Sequence, residues 1–402
     1  MSKKIPYSEQ DFQFDYVDPF SSKTLLGTYT KLGNPPSHVS ALRVERWGLK
    51  TASRLLLFPY HRRDKKDRLQ KKFRVTQCLR LPLGYNVPIQ SKNDVAHYTK
   101  LNVCGSVWTC PICATKITEG RRNELSSAVA YWQNQGGSVA LVTTTIPHKR
   151  TQRLMDILVK VQCARRKWRN RKPFKQSVED FGICGTVRAL EVNYGMNGWH
   201  VHFHELYFYN LEGKKYVNTP NHLHLLQADL SQSWRYACVS AGIKIPSSSY
   251  GLDVRNGDFA ADYIAKFGRE SNSGWGVDQE LVKGHIKKSR GGFSPFDMLR
   301  SYLATGDISP TAPSQYFIEF ALSMLGKKQL FWSPGLKGLL HVVECSDQEL
   351  AEHVDTESIL LGTLTLDQWR FILKHSFQGQ VLEYANLGGI EAVNDYLISK
   401  GY

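Results

Sequence analysis

Three histidines occupy alternate positions in His200-Val-His-Phe-His204. On an extended strand, side chains at i, i+2 and i+4 share a face, so His200, His202 and His204 project together. Imidazoles are natural metal ligands and are costly to bury unpaired. Residues 185–194 and 199–209 read as two strands joined by the hairpin loop Gly195-Met-Asn-Gly198. That loop pairs Tyr194 with Trp199, which puts Glu191 across from His202 with Cβ atoms about 5 Å apart. Glu191 would then complete a two-His-one-carboxylate site. Mixed nitrogen and oxygen ligation with open positions suits Mn²⁺ or Mg²⁺ acting on a phosphate, or a catalytic zinc. The plainer alternative is an exposed polar strand face beside an acidic residue.

A second group could supply a nucleophile. Asp262-Tyr-Ile-Ala-Lys-Phe267 places Tyr263 and Lys266 at i and i+3, neighbours on one helical face. A phenol with a free pKa of ~10 is a weak nucleophile, and an adjacent ammonium stabilises phenolate and transition-state charge. By itself this pair is equally well a half-exposed aromatic beside a lysine. A third group is built of thiols. Cys104, Cys110 and Cys113 crowd together, with Cys78 upstream. In a chain with no secretory signal, a metal site explains them better than disulfides. Cys110-Pro-Ile-Cys113 is a Cys-x-x-Cys knuckle, and Cys104 with Cys78 would complete a tetrahedral structural zinc, His97 being a substitute. Cys163, Cys184, Cys238 and Cys345 are scattered and read as core residues.

The elements that must hold these groups follow from the pattern. Residues 138–146 are β-branched and apolar, a strand that Pro147 ends. Residues 151–168 place Leu154, Ile157, Leu158, Val161 and Arg165 at helical spacing. Residues 222–241 read as a helix, 250–254 as a short strand and 257–267 as the helix carrying Tyr263. A further helix covers about 114–132, and one starting at the N-cap Thr365 opens the last stretch. This order predicts an α+β domain with an antiparallel sheet. The segments divide as a polar arm over 1–40, a basic cysteine-rich module over 41–135, the sheet domain over 136–270 and a mainly helical region over 271–402.

Charge narrows the partner. The 402 residues carry a formal net charge of +16. The excess clusters, in residues 61–68 with Lys71 and Lys72, and in Arg165-Arg-Lys-Trp-Arg-Asn-Arg-Lys172. Cations around an embedded Trp168 suit a phosphate backbone and a stacked base, so Arg165, Arg166, Lys167, Trp168 and Arg169 are candidate DNA contacts. A solvated helix face with a half-buried Trp is the alternative. No apolar run approaches the ~20 residues that cross a bilayer, and the N-terminus lacks a hydrophobic signal core. A cytoplasmic protein is the expectation.

In combination these motifs resemble the HUH endonucleases, specifically the rolling-circle replication initiators of bacterial plasmids. Leu141-Val-Thr-Thr-Thr-Ile146 is similar to the first-strand motif, His202-Phe-His204 to the His-hydrophobic-His motif, and Ala261-Asp-Tyr-Ile-Ala-Lys266 to the nucleophile motif. Thr109-Cys-Pro-Ile-Cys113, Phe293-Ser-Pro-Phe-Asp-Met-Leu299 and Trp332-Ser-Pro-Gly-Leu336 also resemble flanks of the plasmid initiators. The resemblance covers about residues 100–340. It implies a ferredoxin-like antiparallel sheet with flanking helices, between a zinc-knuckle-like N-terminal module and the helical C-terminal region. It implies a metal held by Glu191, His202 and His204, with His200 as a supporting residue or alternative ligand. Tyr263 would attack the scissile phosphate, with Lys266 beside it, giving a 5′-phosphotyrosine and a free 3′-OH.

The partners so implied are origin DNA, single-stranded or extruded as a hairpin, with a host helicase and polymerase. The motif order disfavours a conjugative relaxase. A single-strand DNA transposase of the same class and a non-catalytic zinc-stabilised DNA-binding regulator are the alternatives. One departure concerns termination. Phe259 and Phe267 stand where some relatives carry a second tyrosine, and Phe259 also stands where related initiators place a glutamate. Glu270, by helical spacing, and Asp258 are the candidate bases for a hydrolytic second cut.

Overall fold

The computed structural model describes residues 38–60, 62–63, 69–70, 73–257, 293–352 and 357–402. In chain order its main elements begin with α1 (His38–Leu57), β1 (Val87–Lys92), β2 (Val95–Tyr98) and α2 (Pro111–Asn134). Next come β3 (Ser138–Thr145), α3 (Leu154–Asn170), α4 (Lys172–Asp180), β4 (Ile183–Gly195), β5 (Gly198–Tyr209), α5 (His222–Ser240) and β6 (Leu252–Asn256). The later part contributes α6 (Pro295–Thr305), α7 (Pro313–Ser323), β7 (Leu330–Trp332), α8 (Leu336–Leu339) and α9 (Asp347–Glu352). It ends with β8 (Ile359–Leu364), α10 (Leu366–His375) and α11 (Gln378–Ser399). The fold is mixed α+β with antiparallel sheets. No described helix is long and apolar enough to cross a membrane. The helix expected over 257–267, the acidic positions around it and most of the first basic run lie outside the described residues, as does the polar arm except its last three residues, which begin α1.

The chain divides into two compact units, each drawn from separate stretches. One takes residues 1–117, 298–318 and 346–402. Its sheet has the order β8-β1-β2, antiparallel throughout. The β1–β2 turn is Asn93-Asp94 with φ of 48° and 59°, both left-handed, as a two-residue type I′ hairpin requires. Pro88 and Ser91 interrupt the alternation of β1, so the sequence pattern alone predicts no strand there. Helices α1 and α11 pack together, and Arg43 pairs with Glu383 at 2.9 Å. The Trp369 indole donates to the Arg80 carbonyl at 2.9 Å, and the Tyr98 hydroxyl to that of Gln378 at 2.9 Å. Thr365 caps α10 in a capping box with Gln368, the start its sequence predicts.

The other unit takes residues 118–297 and 319–345. Its sheet has the order β6-β3-β5-β4-β7, every neighbour antiparallel. On one face Val139, Leu141, Val187, Ala189, Leu206 and Phe208 meet Leu125, Ala128 and Val129 of α2. On the other, α3 buries Leu154, Ile157, Leu158, Val161 and Trp168 at the expected spacing and packs on α5. Trp168 and Trp234 meet edge to face, 5.2 Å between centroids. Fully buried side chains of this size contribute about 1.5–3 kcal/mol each, so the central strands are pinned from both sides. The region beyond 271 is less purely helical than its sequence suggests: β7 edges this sheet and β8 edges the other. Both are short and lack a long alternation of their own.

Candidate metal centres

The hairpin of β4 and β5 sets the first site. Its register pairs Tyr194 with Trp199, Asn193 with His200 and Glu191 with His202, as the loop length implies. Gly198 sits at φ 86°, and a Cβ there would come within 2.7 Å of the Arg150 backbone. Glycine is therefore required on two counts, and it holds the turn that fixes the register.

Glu191, His202 and His204 present ligand atoms within 4.8 Å of one another. The Nε2 atoms of His202 and His204 both lie against the same oxygen, Glu191 Oε2, at 2.9 and 3.0 Å. The other oxygen, Oε1, accepts a hydrogen bond from Asn193 Nδ2 at 2.8 Å, which fixes the plane of the carboxylate. His204 is oriented from behind, its Nδ1 lying 2.9 Å from the Thr143 hydroxyl. A polar partner on the rear nitrogen is the usual way to aim a ligating imidazole. His202 Nδ1 is buried with no hydrogen-bond partner among the described residues. Burial pushes the Glu191 carboxyl up, but the two imidazoles outweigh it and hold it below the usual carboxylate range. An ionised carboxylate facing two Nε2 atoms fits a divalent cation.

His200 stands apart from this trio. Its ring stacks on His148 with centroids 5.1 Å apart and lies 4.8 Å from that of His202. Burial, then the charges of His202 and His148, lowers it to about 4, which keeps its ring neutral beside the site. Tyr263, Lys266, Asp258 and Glu270 lie outside the described residues.

The second site is wholly sulfur. Cys78, Cys104, Cys110 and Cys113 are all buried and together form the other ligand cluster. Their Sγ–Sγ separations are 3.6 Å for Cys78–Cys113 and Cys104–Cys113, and 3.7 Å for Cys78–Cys110. These are far beyond a disulfide bond, and close to the ~3.8 Å edge of a tetrahedron with Zn–S of ~2.3 Å. Backbone N–H groups of Cys104 and Ser106 donate to Cys78 Sγ and Cys104 Sγ at 3.3 and 3.4 Å.

The surroundings are cationic. Lys50 is fully buried; burial and then Arg80 lower it to about 8, while Cys78 and Cys110 oppose the shift. Lys116 is likewise lowered by burial and raised by Cys113 and Cys78. A four-thiolate zinc carries two negative charges, which would balance these ammonium groups; neutral thiols would not. The donor set and its charge environment therefore fit zinc. His97 is outside the cluster, its Nδ1 lying 3.3 Å from the Val95 carbonyl oxygen. Of the four scattered cysteines only Cys238 is buried; Cys163 and Cys345 are partly exposed and Cys184 is exposed, so the core expectation is corrected for those three.

The basic helix also needs correction. Trp168, offered by the sequence as a stacking ring, is 1% exposed and donates to Ser233 Oγ at 2.7 Å. Arg165 is buried and forms two 2.8 Å hydrogen bonds with Glu205, which is fully buried. Both belong to the core side of α3, whereas Arg166 and Lys167 are exposed and Arg169 is partly so. Sequence reasoning missed Thr143, Asn193 and Glu205. Asn193 had a usable signal, standing two residues from Glu191 on the same strand face. Thr143 had none, because only the β3–β5 register brings it to His204.

The chain is similar to two known proteins from Streptomyces. It is 26% identical to the protein rep of Streptomyces lividans, over 68% of this chain and 73% of that one. It is 30% identical to a neomycin resistance protein of Streptomyces cyanogenus over 128 residues, 26% of this chain and 29% of that one. No family model matches the chain, and no solved structure matches it.

Proposed function

We propose that this protein is a rolling-circle replication initiator of the HUH class, a site-specific nickase and strand transferase acting on origin DNA. The observation that carries this reading is the convergence of His202 Nε2 and His204 Nε2 on one Glu191 oxygen. The similarity to the Streptomyces lividans protein rep supports a role in replication. The order of the sheet, strand by strand, is consistent with the ferredoxin-like core that the motifs imply.

A divalent ion such as Mn²⁺ or Mg²⁺, when bound, supplies Lewis-acid polarisation of the scissile phosphate. Glu191, His202 and His204 would hold it, with Asn193 and Thr143 keeping the carboxylate and one imidazole in place. Tyr263 Oη attacks the phosphorus in line while its proton passes to solvent or a nearby base. The P–O3′ bond breaks, the departing oxygen becomes a 3′-OH on protonation, and the 5′ end stays on the enzyme as a phosphotyrosine. Lys266 stabilises negative charge at the nucleophile. The free 3′-OH is a primer for a host polymerase, and a host helicase would open the duplex ahead of it. Termination requires a second cut, made by water with Glu270 or Asp258 as candidate base; the 3′-OH it frees then attacks the phosphotyrosine, joining the strand and releasing Tyr263.

Mixing the protein with an origin-containing single strand and Mn²⁺ tests this directly. A covalent protein–DNA adduct that disappears in Tyr263→Phe is expected. An adduct that persists unchanged in that variant removes the tyrosine from its role. No adduct from the wild-type protein, with DNA binding intact, leaves the zinc-stabilised DNA-binding regulator as the better reading.

A further inference from the structure

On the sheet face opposite the histidines, α3, β4, β5 and the segment leading into β7 enclose a cavity of about 640 Å³. Six of its twelve lining residues are Arg or Lys, and none is Asp or Glu. Glu205, which two of these cations already engage, is bound by Arg165 at 2.8 Å and approached by Arg169 at 3.9 Å. The side chains of Arg166, Arg188 and Lys328 make no hydrogen bond or ion pair among the described residues.

Arg188 lines this cavity from the sheet side. Its guanidinium lies 5.1 Å from the ring centroid of Phe203 and 5.1 Å from that of Phe331, so two aromatic faces hold it in place. Burial, then the neighbouring Arg165 and Arg169, lowers it to about 10 against the pull of Glu205, and it stays protonated at neutral pH. Six Arg and Lys side chains around one cavity with no carboxylate in its lining repel one another, and an entering polyanion relieves that repulsion. Phe331 is 42% exposed, which leaves room for a base to stack on its ring. Gln162 and Asn170 add neutral hydrogen-bonding groups at the rim.

We infer that this cavity is a second nucleic-acid site, in which Arg166, Arg188 and Lys328 bind backbone phosphates of a single strand and Phe331 stacks one of its bases. Alternation of cations with an open aromatic face is the chemistry of single-strand binding, where stacking and phosphate contacts act together. The site is separate from the histidine face and does not depend on nicking. It would let the protein hold one stretch of DNA while another occupies the metal face.

The test uses the full-length Tyr263→Phe protein with no added Mn²⁺ or Mg²⁺, so that cleavage does not contribute while any structural zinc stays bound. Affinity for a labelled oligothymidylate is measured across a salt series. Arg166→Gln combined with Lys328→Gln removes two exposed cations without touching the core. With about 0.7 counterions released per single-strand phosphate, the log–log salt slope should fall by about 1.4. Phe331→Ala should weaken binding about fivefold or more while leaving the slope unchanged, the signature of a lost stack and not of a lost charge. Salt slope and affinity equal to the parent protein in both variants would overturn the site. Displacement of the oligonucleotide by equimolar nucleoside triphosphate, or by polyglutamate at equal charge, would overturn the assignment to a nucleic-acid strand. Because the reaction is disabled throughout, the outcome is independent of whether the wild-type protein nicks.

Discussion

The two ligand clusters of this protein contain similar numbers of donors and differ in nearly everything else. The cysteine site offers four sulfurs, all buried, with separations already close to a closed tetrahedron. The histidine site offers three donors, and its carboxylate side chain is 35% exposed while the two imidazoles are 10% and 4% exposed. A closed all-protein shell is the form of a structural metal, and an incomplete one with an accessible side leaves room for a substrate oxygen. Their supports differ in the same sense. Four thiolates need nearby cations, and the buried Lys50 and the more exposed Lys116 supply them; Glu191, His202 and His204 need aiming, and Asn193 and Thr143 supply that. Metal in the first would hold the fold, and metal in the second would do chemistry.

The largest effect should come from breaking the closed site. Replacing Cys110 and Cys113 together by Ser should release bound zinc and unfold the unit that contains them, since structural zinc contributes its binding free energy to folding. Metal analysis and a thermal melt check this, and a double variant with unchanged zinc content would return these cysteines to the core. Arg165→Met should come next, at about 3–5 kcal/mol, because it strands the fully buried Glu205 charge on the histidine strand β5. A urea titration would measure it; a loss below about 1 kcal/mol would mean that Glu205 takes up a proton or water instead.

At the open site the effects shift from stability to function. His202→Ala or His204→Ala should abolish nicking while keeping most DNA affinity, which Lys and Arg contacts to phosphate supply. Full nicking by either variant would exclude that residue as a ligand. Thr143→Val should weaken metal binding about 10–100-fold by freeing the His204 ring, with little change in melting temperature. The smallest effect belongs to His200→Ala. If His200 only stacks on His148, metal affinity should stay within about threefold, well short of the loss expected for a supporting residue. A larger drop would add His200 to the ligand set.

Much of the histidine site is legible in the sequence because its geometry is local. Period-two alternation and a short hairpin loop are enough to put Glu191 opposite His202, since backbone hydrogen bonding leaves one register for a given turn. The cysteine cluster is half legible: Cys110 and Cys113 announce themselves by spacing, whereas Cys78 joins them through a long connection that spacing alone does not specify. What only the tertiary structure decides is which side of an element faces which neighbour. Arg165 and Trp168 look like their neighbours Arg166 and Lys167 in a basic run, yet α3 turns the first two onto Glu205 and Ser233 and leaves the others outward. The same is true of Thr143 behind His204, of Phe331 beside Arg188, and of the grouping of residues 346–402 with the cysteine-bearing stretch. Each joins residues far apart in the chain. Such pairings are selected by collective burial of apolar surface, a sum over the whole core, and no short window of sequence contains it.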